Sequence, residues 1–177
     1  MIFPEEITDC HTHVPRHGAI VNAEPGDTLR PDLFYSVGIH PWKAAEATPE
    51  DWAWVEAHAA DPRVFAVGEA GLDALRGPSL AVQEEAFRRQ VALSERVGKP
   101  LIIHVVRRID DILRLHRELR PRQPWIVHGF RGGPEQARQL VSAGLYLSLG
   151  RRYNEKVPEA IPRDKILRET DEVKSEE

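Results

Sequence analysis

Short runs of aliphatic and β-branched residues alternate along the chain with longer stretches in which apolar residues recur at helical spacing. Eight segments have strand character: 7–13, 19–23 (the weakest), 33–39, 63–68, 101–105, 125–128, 145–149 and 165–170. Between them Thr48, Pro49 and Asp51 supply an N-cap, a first-turn proline and an acidic third position, opening a helix with Trp52, Val55 and Ala59 on one face. A second helix begins near Leu80, aligns Val82, Ala86, Leu93 and Val97, and stops at Gly98 and Pro100. Ile109, Ile112, Leu113 and Leu119 mark a third, and Pro134, Ala137, Leu140 and Val141 a fourth that Gly144 closes. Strands separated by amphipathic helices predict βα units around a parallel sheet, class α/β, in one domain over residues 1–177.

A second pattern lies on the first. In ITDCHTH, strand alternation puts Asp9, His11 and His13 on one face and Cys10 and Thr12 on the other. Two neutral imidazoles at a strand end can grip a transition-metal ion, although a lone pair of this kind is equally a core or surface feature. The same grammar recurs four times. AVGEAGLD carries Glu69, PLIIHV carries His104, WIVHGF carries His128 and ILRETD carries Asp171, each an apolar run stopped by a metal-competent side chain. In a parallel barrel all C-terminal strand ends open on one face, so these six residues can meet. Such a set fits two divalent cations bridged by a carboxylate and a water or hydroxide, an arrangement suited to hydrolysis. A carboxylate in such a set can also accept a proton as general base.

Taken in order, DCHTHV, GIHPW, GEAGLD, PLIIHVVR, HGFRGG and ETD resemble the motifs of the TatD-like metal-dependent hydrolases of the amidohydrolase superfamily, over nearly the whole chain. The resemblance implies a TIM-barrel-like (β/α) metallohydrolase barrel. It implies that His11, His13 and Asp171 hold a first metal, that Glu69 bridges, and that His104 and His128 hold a second, with Asp171 and Glu69 the catalytic carboxylates. The implied activity is phosphodiester hydrolysis of DNA, including exonucleolytic cleavage, on DNA ends or small phosphodiesters. An amide or ester hydrolase of the same geometry and a metal-binding module with little catalysis are the alternatives. Four histidines and two carboxylates suit zinc, manganese, cobalt or nickel, and magnesium less comfortably.

Around this set, His40 of GIHPW is either a ligand for a substrate oxygen or a turn histidine held by Pro41. Arg76, Arg107, Arg108 and Arg131 are candidates for phosphate, Arg131 beside Gly132 and Gly133 at a helix start; any one of them alone reads as a solvated arginine. Trp42 is the candidate for base stacking. Asp9 and Asp73 are candidates for orienting an imidazole, Asp73 equally for a structural cap or turn, and Glu169 for a buried polar partner. His17, His58 and His116 receive no role.

Composition narrows the partners. A net charge of −4 disfavours a broad grip on long DNA and points to ends or short strands. Cys10 is the only cysteine, which excludes an intramolecular disulfide and suits a reducing compartment. With no basic-then-apolar start and no window near the ~20 apolar residues of a membrane span, a cytoplasmic protein is expected. At 177 residues the chain is short for a fold of about 250. No helix fits between His13 and Leu33, and none follows Asp171. The expected consequence is an uncovered last strand with apolar surface open to self-association and Asp171 on the least anchored element.

Overall fold

The computed structural model describes residues 1–175. All eight expected strands are present and parallel: β1 (Asp9–Thr12), β2 (Ala19–Ala23), β3 (Phe34–Val37), β4 (Val64–Asp73), β5 (Leu101–Val106), β6 (Trp125–Val127), β7 (Tyr146–Leu149) and β8 (Ile166–Arg168). Each pairs with its sequence neighbours. The two ends of the sheet meet just beyond the strands. The Asp171 amide donates to the His11 carbonyl (3.0 Å) and the His13 amide to the Glu172 carbonyl (2.8 Å). The result is a nearly closed TIM-barrel-like β/α barrel.

The helices are α1 (Pro49–Ala59), α2 (Leu80–Val97), α3 (Ile109–Leu119), α4 (Pro134–Ser142) and a short α5 (Val157–Ala160), which the apolar pattern did not foreshadow. The start of α1 is a reciprocal capping box: Thr48 Oγ1 accepts from the Asp51 amide (3.1 Å), and Asp51 Oδ2 accepts from the Thr48 amide (2.9 Å). Trp52, Val55 and Ala59 are its buried face, as expected. Helix α2 ends at Gly98 in the left-handed conformation (φ 68°). Its buried stripe differs from the expected one. Gln83 and Gln90 lie within it, while Val82 and Val97 are only half-buried. Gln90 clamps both backbone groups of Ile39, and Gln83 does the same at Asp73, so α2 ties down the C-terminal ends of β3 and β4. No helix lies between β1 and β3, and none of the described helices is long and apolar enough to cross a membrane.

Strand β4 departs most from expectation, running to Asp73 rather than stopping at Gly68. Its pairing with β5 shifts register between Val67 and Ala70, then continues through Gly71 opposite His104 and Asp73 opposite Val106. Glycine in GEAGLD reads as a strand stop in the sequence. Here it permits close approach, since a Cβ on Gly71 would lie 1.6 Å from the His104 carbonyl oxygen. The irregularity falls at Glu69 and aims that side chain into the barrel mouth.

Two apolar layers hold the barrel. Phe3, Cys10, Ile20, Ala66, Ile102 and Ile126 form one cluster. A larger one, including Val37, Val64, Leu101, Phe87, Ile112 and Leu140, brings strand and helix side chains together. The last strand is better secured than expected. Leu167 packs on the first cluster and Ile166 on the second, while Arg168 lies over the Tyr153 ring at 4.9 Å. Its surface is therefore mixed rather than apolar. Asp171 is held by β1 itself through the backbone bond to His11, which corrects the expectation that it sits on the least anchored element.

Candidate metal centre

Glu69 stands at the middle of the barrel mouth, and its two oxygens face different partners. Toward Oε2 lie His13 Nε2 (3.3 Å) and His11 Nε2 (3.5 Å) from the end of β1. Asp171 Oδ1 joins them, 3.4 Å from His11 Nε2 and 3.6 Å from His13 Nε2. Toward Oε1 lie His128 Nε2 (2.8 Å), His104 Nδ1 (3.5 Å) and His40 Nε2 (3.7 Å). The six residues singled out at strand ends are thus brought together, on either side of one carboxylate. Among the described residues, three subsets have ligand atoms close enough to share an ion: His11, His13 and Glu69; His11, His128 and Asp171; and His40, Glu69 and His104.

His40 is the turn histidine that was one of its two readings, capping the turn Pro41–Lys43, and it also lies nearer the centre than either reading foresaw. Its Nδ1 accepts the Trp42 amide (3.2 Å), leaving Nε2 toward Glu69. Burial pulls its pKa down to about 4, so the ring is neutral, and with Nδ1 accepting, its one proton sits on Nε2, which faces Glu69 as a donor. Burial alone would raise Glu69, but the His128, His104 and His13 imidazoles hold it well below the usual carboxylate range. Burial would likewise lower His128, and the Glu69 and Glu169 carboxylates push it well above the usual range.

Buried polar atoms are nearly always hydrogen-bonded, so unpaired ones call for an explanation. Five gather here: His11 Nδ1 and Nε2, Glu69 Oε2, His128 Nδ1 and Glu169 Oε1 are buried without a partner among the described residues. His128 Nδ1 and Glu169 Oε1 face each other at 3.4 Å, but His11 Nε2 and Glu69 Oε2, unpaired and 3.5 Å apart beside Asp171, are nitrogen and carboxylate donors that fit a divalent cation.

The supporting carboxylates divide their work. Asp73 Oδ2 accepts from His104 Nε2 (2.9 Å) and from the Trp42 indole (2.7 Å), so His104 carries its proton on Nε2 and turns Nδ1 to Glu69. Asp9 does not orient an imidazole. Its Oδ1 accepts from the amides of Thr170 (3.0 Å) and His11 (3.3 Å), and its Oδ2 from the Thr170 hydroxyl (2.7 Å), fastening β1 to the Asp171 segment. Glu169 is the buried polar partner expected: it accepts from Ser148 Oγ and lies 3.4 Å from His128 Nδ1. Ser148 also contacts Cys10, whose thiol burial pushes far up and out of chemistry.

Arg76, Arg107 and Arg131 are exposed, following β4, β5 and β6 on the same face of the barrel. Arg76 lies over the Trp42 ring (4.5 Å), and that ring stands 5.8 Å from His104. The sequence reading passed over Asn22. Its Oδ1 accepts the Glu69 amide (3.1 Å), and the signal was present: it too is a polar residue closing an apolar run, at the end of the weakest strand.

Comparison with known proteins identifies the chain's relatives. The sequence model of the family described as TatD related DNase matches residues 10–172. An uncharacterized metal-dependent hydrolase of Bacillus subtilis is 34% identical over 148 residues, covering 78% of this chain and 58% of the relative. A 3'-5' ssDNA/RNA exonuclease TatD of Edwardsiella piscicida is 32% identical, covering 80% of this chain and 58% of the relative. Deoxyribonuclease Tat-D of Schizosaccharomyces pombe is 32% identical over 77% of this chain and 50% of its own. The chain therefore spans between half and three fifths of these relatives. The crystal structure of a TatD homologue from Escherichia coli superposes with a TM-score of 0.76 at 25% identity, over 97% of this chain and 80% of that one. With a family model matching from the first strand to the residue after Asp171, and the same barrel in a solved homologue, the chain belongs to the TatD-related DNase family.

Proposed function

We propose that the protein is a divalent-metal-dependent phosphodiesterase acting on DNA ends or small phosphodiesters. The observation that carries this reading is the division of Glu69, with His11 and His13 on one oxygen, Asp171 beside those two rings, and His104, His128 and His40 on the other oxygen. His11, His13 and Asp171 would hold one cation and His104 and His128 the other, with Glu69 between them. Two cations held this way would supply Lewis acidity and make the attacking water more acidic. Asp171 receives the proton: its carboxylate is partly open to solvent, and although burial would raise its pKa, the His11 and His128 imidazoles keep it below the usual value and ionised. His40 Nε2 and the exposed Arg76, Arg107 and Arg131 bind the non-bridging phosphate oxygens and the strand beyond them. Relatives named as ssDNA/RNA exonuclease and deoxyribonuclease support the substrate class.

The test is degradation of end-labelled single-stranded DNA by the purified chain across a panel of divalent ions. Chelator-sensitive cleavage that His104→Ala abolishes is expected. Metal-loaded protein that cleaves only amides or carboxylic esters would replace this reading with the amidohydrolase one. Self-association is a separate matter. A groove of about 430 Å³ between α5 and β8, lined by Pro158, Ile166 and Arg168, is the surface that would carry it. A dimer in sedimentation velocity that Ile166→Asp disperses would establish it, and a concentration-independent monomer would exclude it.

A further inference from the structure

Beside the metal centre a cleft of about 270 Å³ opens between the C-terminal ends of β2 and β3 and the start of α1. Asn22, His40 and Glu69 line its inner end, and Ile39, Ala47 and Pro25 line its wall. The volume lies just below the ~300–1,000 Å³ usual for small-molecule sites, room for one compact group rather than a length of polymer.

Asn22 is fixed there in one orientation. A backbone N–H can only donate, so the Asn22 atom facing the Glu69 amide at 3.1 Å is the oxygen. The buried Ser36 hydroxyl donates to the same oxygen at 3.2 Å. The amide nitrogen is then the free end, and it forms no hydrogen bond with any described residue. A donor has been set beside Glu69 with its acceptor side fully used.

The charge around the cleft says what that donor meets. Glu24, Glu46 and Asp51 stand with a single lysine, and Lys43 is already paired with Glu24 at 2.7 Å. A phosphate is repelled from this side. The exposed arginines Arg107 and Arg131 follow β5 and β6, whereas the cleft follows β2 and β3, with Arg76 at the border over the Trp42 ring. The mouth is therefore polarised across Glu69, basic on one side and acidic with apolar walls on the other.

We propose that this cleft is a subsite for the uncharged sugar-and-base end of a nucleotide substrate, fixed by a hydrogen bond from the Asn22 amide nitrogen. The inference rests on the phosphodiesterase reading and adds a direction to it. The terminal nucleoside enters between β2 and β3, and the charged strand leaves over the arginines.

The experiment has two arms. In the first, the side-chain amide signals of Asn22 are followed by NMR in the metal-loaded protein during titration with thymidine and, separately, with inorganic phosphate. Thymidine is expected to shift them and phosphate is not, and Ala47→Leu, which narrows the wall, weakens the thymidine response. In the second, kcat/KM is compared between a dinucleotide and bis(4-nitrophenyl) phosphate, which has no nucleoside. Asn22→Asp keeps the acceptor for Glu69 and Ser36 but loses the donor, and it should lower the ratio of the two values about tenfold. Damage relayed through Glu69 would lower both together and leave the ratio unchanged. Asn22 signals unmoved at saturating thymidine, or an unchanged ratio, overturn the proposal. If the protein cleaves no phosphodiester, the functional reading fails while the thymidine titration still decides the cleft.

Discussion

Asp73 is where a single carboxylate decides what a histidine can do. By accepting from His104 Nε2 it leaves Nδ1 as the only lone pair that ring can offer, and that lone pair points to Glu69. Removing such a partner typically weakens metal binding 10–100-fold, so Asp73→Ala should lose roughly that much affinity for the His104 side in calorimetric titration with zinc or manganese. An unchanged isotherm would mean that His104 is positioned by something else. Asp171 carries a different expectation. Asp171→Asn keeps an oxygen toward His11 but cannot take a proton, so kcat should fall by about 10²–10⁴ with metal content maintained. Full turnover with an unaltered pH profile would remove it as the base. The ligand candidates were readable because an apolar run ending in one histidine or carboxylate is a rare pattern. That Asp73 could orient an imidazole was readable from its place beside the motif; that the imidazole is His104 was not, because the pairing depends on a strand register that no local pattern encodes.

Among the elements, β4 shows best what the pattern conveys and what it hides. Its start was plain, but the glycines that read as an ending are what let it continue against β5. With 1.6 Å between a Cβ at position 71 and the His104 carbonyl, Gly71→Ala must push β4 and β5 apart at the centre. A loss of about 3 kcal/mol or more in denaturant unfolding is expected, with His104 displaced; a loss under about 1 kcal/mol would show that the strands have slack. Gln83 and Gln90 were hidden for a related reason. A polar residue on a buried stripe counts against a helical face in the sequence, yet both spend their amides on backbone groups of β3 and β4, where a leucine could not serve.

Across the whole molecule, the barrel is closed by the same residues that build the site. Asp9 clasps Thr170, and His11 and His13 use their backbones to bind the segment that carries Asp171. Asp9→Ala should therefore cost ~2–3 kcal/mol of stability, for loss of charge-assisted hydrogen bonds, and weaken metal binding with it. If stability falls and metal affinity does not, the clasp and the site are independent. Cations that bind only the folded barrel should also stabilise it, by ~2.7 kcal/mol at a hundredfold excess over Kd, a rise in Tm of roughly 5–11 °C for a chain of this size. A flat melting temperature under calorimetry would speak against a folded-state site. The central claim, that Glu69 is shared by two cations, is tested most directly by anomalous diffraction from crystals grown with zinc. Two peaks are predicted, one on each side of the Glu69 carboxylate and each about 2.0–2.2 Å from one of its oxygens. A single peak, or two that leave Glu69 uncoordinated, would contradict it.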